Sequence, residues 1–133
     1  MNVEGKDVKG LSGRFVVQKH DASRLHWDFR LEMDGVLRSW AVPKEPPTMS
    51  GIRRLAVLVE DHEVDYIDFE GTIPEGEYGA GTVEIWDSGV YKLESERPDK
   101  LVFRLDGERM KGRYTLVHFT EKEENWLLFK TKS

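Results

Sequence analysis

The sequence predicts an all-β protein, mainly antiparallel, folded as a compact closed or nearly closed β-barrel of about seven or eight strands with long loops and little helix. Short runs rich in β-branched and aromatic residues recur at hairpin spacing. Turn dipeptides such as Asp34-Gly35 and Asp106-Gly107 separate several of these runs. No segment has the length and the 3.6-residue apolar period of an amphipathic helix. Closure of the sheet would also remove exposed strand edges.

The individual strands follow from these runs and the turns between them. The alternating segment His26–Met33 is predicted to form a hairpin with Val36–Val42. Residues 43–50 contain three prolines and are predicted to form a loop, because proline cannot donate to a sheet ladder. A second hairpin is predicted over Thr82–Leu93, with its turn at Ser88-Gly89. The other expected strands are Arg14–Lys19, an apolar and therefore buried Leu55–Val59, Leu101–Leu105, Tyr114–Phe119 and Trp126–Lys130.

Length and composition limit the class of protein. The chain has 133 residues and no cysteine, which excludes a disulfide scaffold, a cysteine-based zinc finger and a thiol nucleophile. We expect a single domain over residues 14–133, preceded by a short polar N-terminal arm at 1–13. Because no apolar run approaches the roughly 20 residues that span a bilayer and the N-terminus has no signal-peptide pattern, we expect a cytoplasmic protein.

Charge is distributed unevenly along the chain, whose net charge is −5. Residues 60–96 contain 12 acidic and 1 basic residue, whereas residues 1–59 contain 10 basic and 7 acidic residues. Proteins that coat a nucleic-acid duplex need a broad basic surface, since phosphate neutralisation dominates their affinity. The distribution excludes such a surface but permits a local anion site.

The predicted strand His26–Met33 has one apolar and one ionisable face, because side chains alternate with period two. An ordinary solvent-facing strand would alternate in the same way. Asp28, however, is an unusual mid-strand residue, and such departures from propensity often mark functional sites. The apolar face carries Trp27, Phe29, Leu31 and Met33, and the ionisable face carries His26, Asp28, Arg30 and Glu32.

A metal or phosphate site is the function that this ionisable face favours. His20 ends the preceding strand, and the short connection after it is expected to bring His20 near His26 and Asp28. Two imidazoles and one carboxylate suit Mn²⁺, Zn²⁺ or Fe²⁺ and leave coordination positions open. Arg30 lies about 7 Å further along the same face. A guanidinium beside a cation is favourable when an anion lies between them, and phosphate or carboxylate fits its fork.

The acidic segment after Val59 contains two further motifs. His62 lies in a carboxylate-rich stretch that is expected to raise its pKa and so favour donation of a hydrogen bond or proton to a phosphate oxygen. The glycine-rich segment Pro74–Gly81 lacks the lysine and the following helix of a nucleotide-binding loop, so its glycines are expected to serve turns. All of Asp61–Gly81 is predicted to be a long irregular loop, and His118 is expected to be structural.

Three segments in this order resemble the 3′-phosphoesterase domain of the multidomain bacterial DNA ligase D, a domain that also occurs as standalone proteins. The segments are FVVQKHDASRLHWDFRLEMDGVLRSWAVPKEPP, LAVLVEDHEVDYIDFEGTIPEGEYGAGTVEIWD and NWLLFKTK. The resemblance covers most of the chain from about Arg14 onward. It implies a β-barrel that removes a 3′-terminal ribonucleoside from DNA or primer–template ends and then hydrolyses the remaining 3′-phosphate to a 3′-hydroxyl.

The resemblance also implies roles for individual residues and a cofactor. It implies metal ligation by His20, His26 and Asp28, with Mn²⁺ as the ion and Zn²⁺ or Co²⁺ as possible substitutes. The implied partners are DNA ends and a repair ligase and polymerase acting in trans. Ligase-linked members have a longer N-terminal arm, so the short arm here is expected to bear on substrate grip. The implied phosphate-contacting catalytic residues are Arg30, Arg54, His62 and Tyr66, with supporting substrate-binding roles for Gln18, Lys44 and Glu60.

Two other functions are compatible with parts of the sequence. His26-Trp27-Asp28 matches the His-x-Asp element of Fe²⁺/2-oxoglutarate oxygenases, which need a later histidine such as His62 or His118. That assignment leaves His20 without a role. The other alternative is a non-catalytic β-barrel that binds nucleic-acid ends by stacking bases on exposed aromatic residues. It is disfavoured because the aromatic residues of the central motif are predicted to face the core.

Overall fold

A computed structural model describes residues 11–132, and within this range the chain forms nine β-strands and one short 3₁₀ helix, Val64–Asp68. The strands are β1 (Leu11–Asp21), β2 (Leu25–Met33), β3 (Val36–Val42), β4 (Arg53–His62), β5 (Gly71–Ile73), β6 (Gly81–Arg97), β7 (Lys100–Asp106), β8 (Lys111–His118) and β9 (Asn125–Lys130). Ten residues of the predicted N-terminal arm lie outside the described range, and the remaining three belong to β1. No helix in the described range is long and apolar enough to cross a membrane.

Eight of the described strands close into an antiparallel barrel, which confirms the predicted fold class. The strand order is β1-β2-β3-β4-β9-β8-β7-β6, and β6 pairs with β1 to close the ring. The short strand β5 pairs with the first residues of β6. The barrel interior contains the apolar face of β2, where Trp27, Phe29 and Leu31 are buried as predicted. The opposite face of β2 is therefore left to carry the ionisable side chains.

The predicted hairpin over residues 82–93 is wrong, because these residues belong to the single 17-residue strand β6. Gly89 does not form a turn but pairs with Phe15 of β1. A Cβ at Gly89 would collide with the backbone of Asp106, so glycine is needed there for close strand approach. The pairing of β1 with β6 shifts register between Val17 and Gln18. The turn-like sequence thus marks an irregularity within a long strand rather than its end.

Two smaller predictions also need correction. The segment Leu55–Val59 is a strand, but both of its end residues are more than one-third exposed, whereas Ala56 is fully buried. Successive side chains of this segment therefore point alternately to the inside and the outside of the barrel, and only those on the inside are buried. The region 61–81 is not wholly irregular, since it contains the end of β4, the 3₁₀ helix and β5.

We expect Asp87→Ala to destabilise the barrel by about 3 kcal/mol or more, because four backbone N–H donors, one buried and three partly buried, would lose their acceptor. Asp87 is buried in β6, and its carboxylate accepts backbone N–H groups from Ser88, Glu108, Arg109 and Met110 at 2.8–3.1 Å. Urea unfolding measures the effect. Asp87→Asn, which retains one carbonyl oxygen, should lose less stability than the alanine variant. Equal stability of Asp87→Ala and the parent protein would contradict this role.

Candidate functional site

The outer face of β1 and β2 brings together the three predicted metal ligands. His20 lies directly opposite His26, and Gln18 lies directly opposite Asp28, in the antiparallel register of these strands. Opposed residues project from the same face of a sheet. One ligand atom from each of His20, His26 and Asp28 lies within 4.8 Å of the other two. The tight β1–β2 connection therefore produces the convergence that the spacing of the two histidines predicted.

Hydrogen bonds to backbone carbonyls fix the tautomer of both imidazoles. The Nε2 atom of His20 lies 2.7 Å from the carbonyl oxygen of Gly79, and the Nδ1 atom of His26 lies 3.0 Å from that of Arg24. Since a carbonyl oxygen only accepts, each of these nitrogens carries a hydrogen. The remaining nitrogens, His20 Nδ1 and His26 Nε2, lie 3.7 Å and 3.2 Å from the same Asp28 oxygen, Oδ2.

This arrangement fits a divalent metal ion. With both rings neutral, two nitrogen lone pairs and one carboxylate oxygen face each other, which is unfavourable unless a proton or a cation lies between them. Metal-binding histidines characteristically donate their other N–H group to a carbonyl or carboxylate, which orients the ring. The mixed nitrogen and oxygen donor set also suits first-row divalent ions. Three protein ligands would leave coordination positions open to water or substrate.

The electrostatics of the cluster keep Asp28 ionised. Burial alone would raise the pKa of Asp28, but the hydrogen bond from His26 and the charge of Arg30 outweigh burial and lower it. The pKa of His26 is raised, mainly by its hydrogen bond to Asp28, against the opposing effect of burial. A proton on His26 and a divalent ion are therefore alternative cations for Asp28.

Arg30 is the second centre of the site, and its guanidinium is held on several sides. It is only 3% exposed, and its Nε–H donates to Gln18 Oε1 at 2.6 Å. Its Nη1 group donates to Ser39 Oγ at 2.8 Å, and its Nη2 lies 3.4 Å from Asp28 Oδ2. Burial lowers the pKa of Arg30 and Asp28 opposes that effect, but a guanidinium remains charged in proteins. The result is a fixed positive group beside the three candidate metal ligands.

His62 and Tyr66 complete the group around this guanidinium. His62 Nδ1 lies 3.0 Å from Arg30 Nη1 and accepts a hydrogen bond, since arginine can only donate. This leaves the Nε2–H of His62 available to another acceptor. The Arg30 guanidinium lies over the Tyr66 ring at 5.1 Å, and the rings of His62 and Tyr66 are 5.0 Å apart. Burial raises the pKa of Tyr66 despite the charge of Arg30, so its hydroxyl stays protonated at neutral pH.

The predicted rise in the pKa of His62 is wrong. Burial and the positive charge of Arg30 lower this pKa, and the weaker influence of the Glu60 carbonyl and nearby carboxylates does not reverse it. The Glu60 and Asp61 side chains are exposed, so water screens them, whereas Arg30 is in direct contact. His62 is therefore neutral at neutral pH and acts as a hydrogen-bond donor through Nε2.

We expect the lowered pKa of His62 to reduce the free energy of unfolding as pH falls below about 6.5. In that range the unfolded chain binds a proton that the folded chain does not, and the loss is complete once the pH reaches the folded pKa. Urea unfolding at pH 7.5 and 5.5 should therefore show a larger loss of stability for the parent protein than for His62→Gln. An equal or larger loss in the variant would contradict the assignment.

Gln18 holds the 3₁₀ helix against the barrel. Its side chain is fully buried, and its Nε2 group donates to the carbonyl oxygens of Tyr66 and Phe69 at 2.8 Å and 3.3 Å. The other end of the same amide accepts from Arg30. Gln18 therefore positions both the guanidinium and the helix that carries Tyr66.

The structure does not bring Arg54, Lys44 and the Glu60 side chain into contact with this cluster. The Nε–H of Arg54 donates to the carbonyl oxygen of Glu45 at 2.8 Å. Arg54 is the second residue of β4, and this strand lies two strands away from β2, a strand-to-strand spacing of roughly 10 Å. Lys44 is exposed in the loop after β3. The backbone carbonyl oxygen of Glu60 lies 3.3 Å from His62 Nδ1, but this nitrogen accepts from Arg30 and has no hydrogen to donate to the carbonyl.

Three contributors were missed from the sequence: Ser39, Gly79 and Phe69. Ser39 was detectable in principle, because a two-residue turn at Asp34-Gly35 sets Arg30 opposite Ser39 in the β2–β3 hairpin. Gly79 contributes a backbone carbonyl from the glycine-rich loop, for which no side-chain pattern gives a signal.

The fold and this cluster define a small β-barrel domain that has a candidate metal site next to a buried arginine, whose positive charge favours a bound anion. The chain belongs to the DNA Ligase D 3′-phosphoesterase domain family, whose profile matches residues 18–118.

Its relatives are much longer proteins. The chain is 52% identical, over 96% of its length, to the multifunctional non-homologous end joining protein LigD of Pseudomonas aeruginosa. It is 47% identical to the proteins of the same name from Mycobacterium bovis and Mycolicibacterium smegmatis, over 96% and 92% of its length. The match spans only 16–17% of these relatives.

Proposed function

We propose that this chain is a metal-dependent phosphoesterase that processes the 3′ ends of nucleic acids. It removes a 3′-terminal ribonucleoside and then the resulting 3′-phosphate, which leaves a 3′-hydroxyl for repair ligation. The observation that carries the proposal is the surroundings of Asp28 Oδ2, which lies 3.7 Å and 3.2 Å from the His20 and His26 imidazoles and 3.4 Å from the Arg30 guanidinium. Family membership supports the same substrate class.

The residues of the cluster divide the chemistry between them. His20, His26 and Asp28 would hold a divalent ion, with Mn²⁺ the proposed one, and such an ion would polarise a phosphoryl oxygen and lower the pKa of bound water. Arg30 would donate to another phosphoryl oxygen through Nη2, because its Nε and Nη1 groups already have acceptors in the protein, and its charge would offset the negative charge that grows in the transition state.

His62 and Tyr66 provide the remaining donors. Water adds to phosphorus, the bond from phosphorus to the leaving oxygen breaks, and a proton passes to that oxygen. That proton comes from the attacking water, and the neutral His62 stabilises the leaving oxygen by a hydrogen bond from its Nε2–H. The Tyr66 hydroxyl donates a hydrogen bond to a phosphoryl oxygen. Gln18 acts by holding Arg30 and the 3₁₀ helix in place.

An acidic protein can act on nucleic acid in this way because it binds an end rather than a length of duplex. A terminal phosphate is small and dianionic, so a few converging donors suffice. Lys44 and Arg54 would contact the strand beyond the reacting phosphate through its backbone, and Glu60, two residues from His62 in β4, would support substrate binding. The proposed site of action is the cytoplasm, with a ligase and a polymerase acting on the same ends.

The test uses a labelled primer–template that ends in one 3′-ribonucleotide, incubated with the protein and Mn²⁺. We expect a product shortened by one nucleoside and bearing a 3′-phosphate, followed by the 3′-hydroxyl form. EDTA should stop both steps, and Mn²⁺ should restore them. Tight binding of the end without hydrolysis in Mn²⁺, Zn²⁺ and Co²⁺ would overturn the proposal in favour of a non-catalytic end-binding barrel.

The oxygenase alternative is not supported by the described residues. Its later histidine would have to be His62, which contacts Arg30, or His118, whose Nε2 lies 2.8 Å from the carbonyl oxygen of Lys122. Neither lies in the described cluster of three ligands. Oxygen consumption with Fe²⁺ and 2-oxoglutarate would be the result that revives it.

A further inference from the structure

A cavity of about 400 Å³ lies beside His62 and Tyr66, two of the residues proposed above to contact the phosphate. Its volume suits a nucleoside-sized ligand. One wall is aromatic, since Tyr66 and Phe69 stack with ring centroids 4.9 Å apart and planes inclined by 15°. The cavity, called the acidic pocket below, is lined by His62, Glu63, Asp65, Tyr66, Asp68 and Phe69.

The acidic pocket shares two residues with the site described above. His62 contacts the Arg30 guanidinium at 3.0 Å, and the Tyr66 ring lies under the same guanidinium. A phosphate bound to Arg30 would therefore place one of its two ester substituents at the mouth of this pocket. The position of the pocket makes it a subsite for the group on one side of the reacting phosphate.

The charge of the pocket lining indicates which of the two ester substituents of the phosphate it accepts, the polynucleotide strand or the terminal nucleoside. The lining has three carboxylates, and no lysine or arginine occurs among the described residues that form it. Such a lining repels the phosphates of a polynucleotide strand. A nucleoside that leaves from the 3′ end carries no phosphate of its own once the bond breaks. Its base can contact the aromatic wall, and its amino or hydroxyl groups can donate to the carboxylates.

The basic residues lie in a different part of the sheet. Arg53 and Arg54 begin β4, and Lys44 follows β3, at the end of the sheet where β2 begins. His62, by contrast, pairs with Leu37 near the other end of β3. The site thus has a positive side toward the start of β4 and a negative side at the 3₁₀ helix.

We propose that the acidic pocket binds the 3′-terminal nucleoside that is removed, while the remaining strand lies toward the start of β4, where Lys44, Arg53 and Arg54 carry positive charge. This inference rests on the proposed function, since it assigns the two sides of the same reacting phosphate. It makes the pocket specific to the first step, because the nucleoside has already left before the 3′-phosphate is hydrolysed.

The test compares two substrates, one ending in a 3′-ribonucleoside and one ending in a 3′-phosphate. The double variant Asp65→Asn/Asp68→Asn and the separate variant Glu63→Gln remove carboxylate charges from the lining. We expect each variant to lower kcat/KM for nucleoside removal about tenfold, as the loss of one or two hydrogen bonds would. Hydrolysis of the 3′-phosphate should stay within about twofold of the parent rate.

Glu121→Gln is the matched control, because it also removes one exposed carboxylate but lies in the β8–β9 connection. It should leave both rates unchanged. Parallel loss of both rates in the pocket variants, or no loss of either, would overturn the assignment of the pocket. A parent protein that acts on neither substrate would instead overturn the proposed function, so the two failures are distinguishable.

Discussion

Replacing Asp28 with alanine is expected to lower both hydrolytic rates by at least about 100-fold. Loss of a residue that only orients a metal ligand lowers activity by up to about 100-fold, and loss of a ligand itself should cost at least as much. Asp28 Oδ2 is the atom on which His20, His26 and Arg30 converge. Without it the imidazoles lack a common anionic partner. The measurement is kcat/KM on the 3′-ribonucleoside and 3′-phosphate substrates with saturating Mn²⁺.

The fold of this variant is expected to survive, because the core of the barrel lies on the other face of β2. Far-ultraviolet circular dichroism and urea unfolding check that expectation. Asp21→Ala is the matched control, since this exposed carboxylate is next to His20 in the chain but outside the three-residue cluster. Hydrolysis of the 3′-phosphate by a folded Asp28→Ala variant at the parent rate would contradict the role of Asp28.

Replacing Arg30 with lysine is expected to lower kcat/KM by about 100- to 1,000-fold, although the positive charge is retained. The guanidinium makes its contacts through Nε, Nη1 and Nη2 in fixed directions. An ammonium group cannot reproduce that fork, so both the alignment of phosphate oxygens and the support from Gln18 would be lost. Steady-state kinetics on the 3′-phosphate substrate measure the change.

Arg38→Lys provides the matched control for Arg30. Arg38 lies in the neighbouring strand β3 and is partly buried, and its guanidinium lies over the rings of Trp40 and Trp126, at 5.1 Å and 5.5 Å. This control should keep nearly all activity. If Arg30→Lys retained parent activity, the phosphate would have to be bound by other groups, and the division of roles proposed above would be wrong.

The ligand cluster was predictable because it depends on local geometry. His20 and His26 flank one tight connection, and strand alternation puts Asp28 on the same face as His26. The apolar face of β2 was predictable for the same reason. These predictions need only the two-residue period and the antiparallel return of the chain.

Features that depend on distant contacts were not predictable in this way. Strand β6 is continuous because β1 pairs along most of it, so a local turn signal at Ser88-Gly89 was misleading. The pKa of His62 follows from burial and from Arg30, which is 32 residues away in sequence. The acidic residues adjacent in sequence suggested the opposite direction because their exposure could not be known.

For Arg54 the family resemblance and the observed contacts differ. The resemblance implied a catalytic role for Arg54, whereas its described contact is with the carbonyl of Glu45. A role for Arg54 on the substrate strand remains a prediction that the two-substrate assay can address, because an upstream contact should affect both hydrolytic steps.

Diffraction from crystals grown with Mn²⁺, measured for the anomalous signal of manganese, tests the central claim most directly. The account predicts one strong peak within coordination distance of His20 Nδ1, His26 Nε2 and Asp28 Oδ2, on the side that faces Arg30. Imidazoles that stay hydrogen-bonded to Asp28 with no peak between them, or a peak bound elsewhere on the barrel, would contradict it.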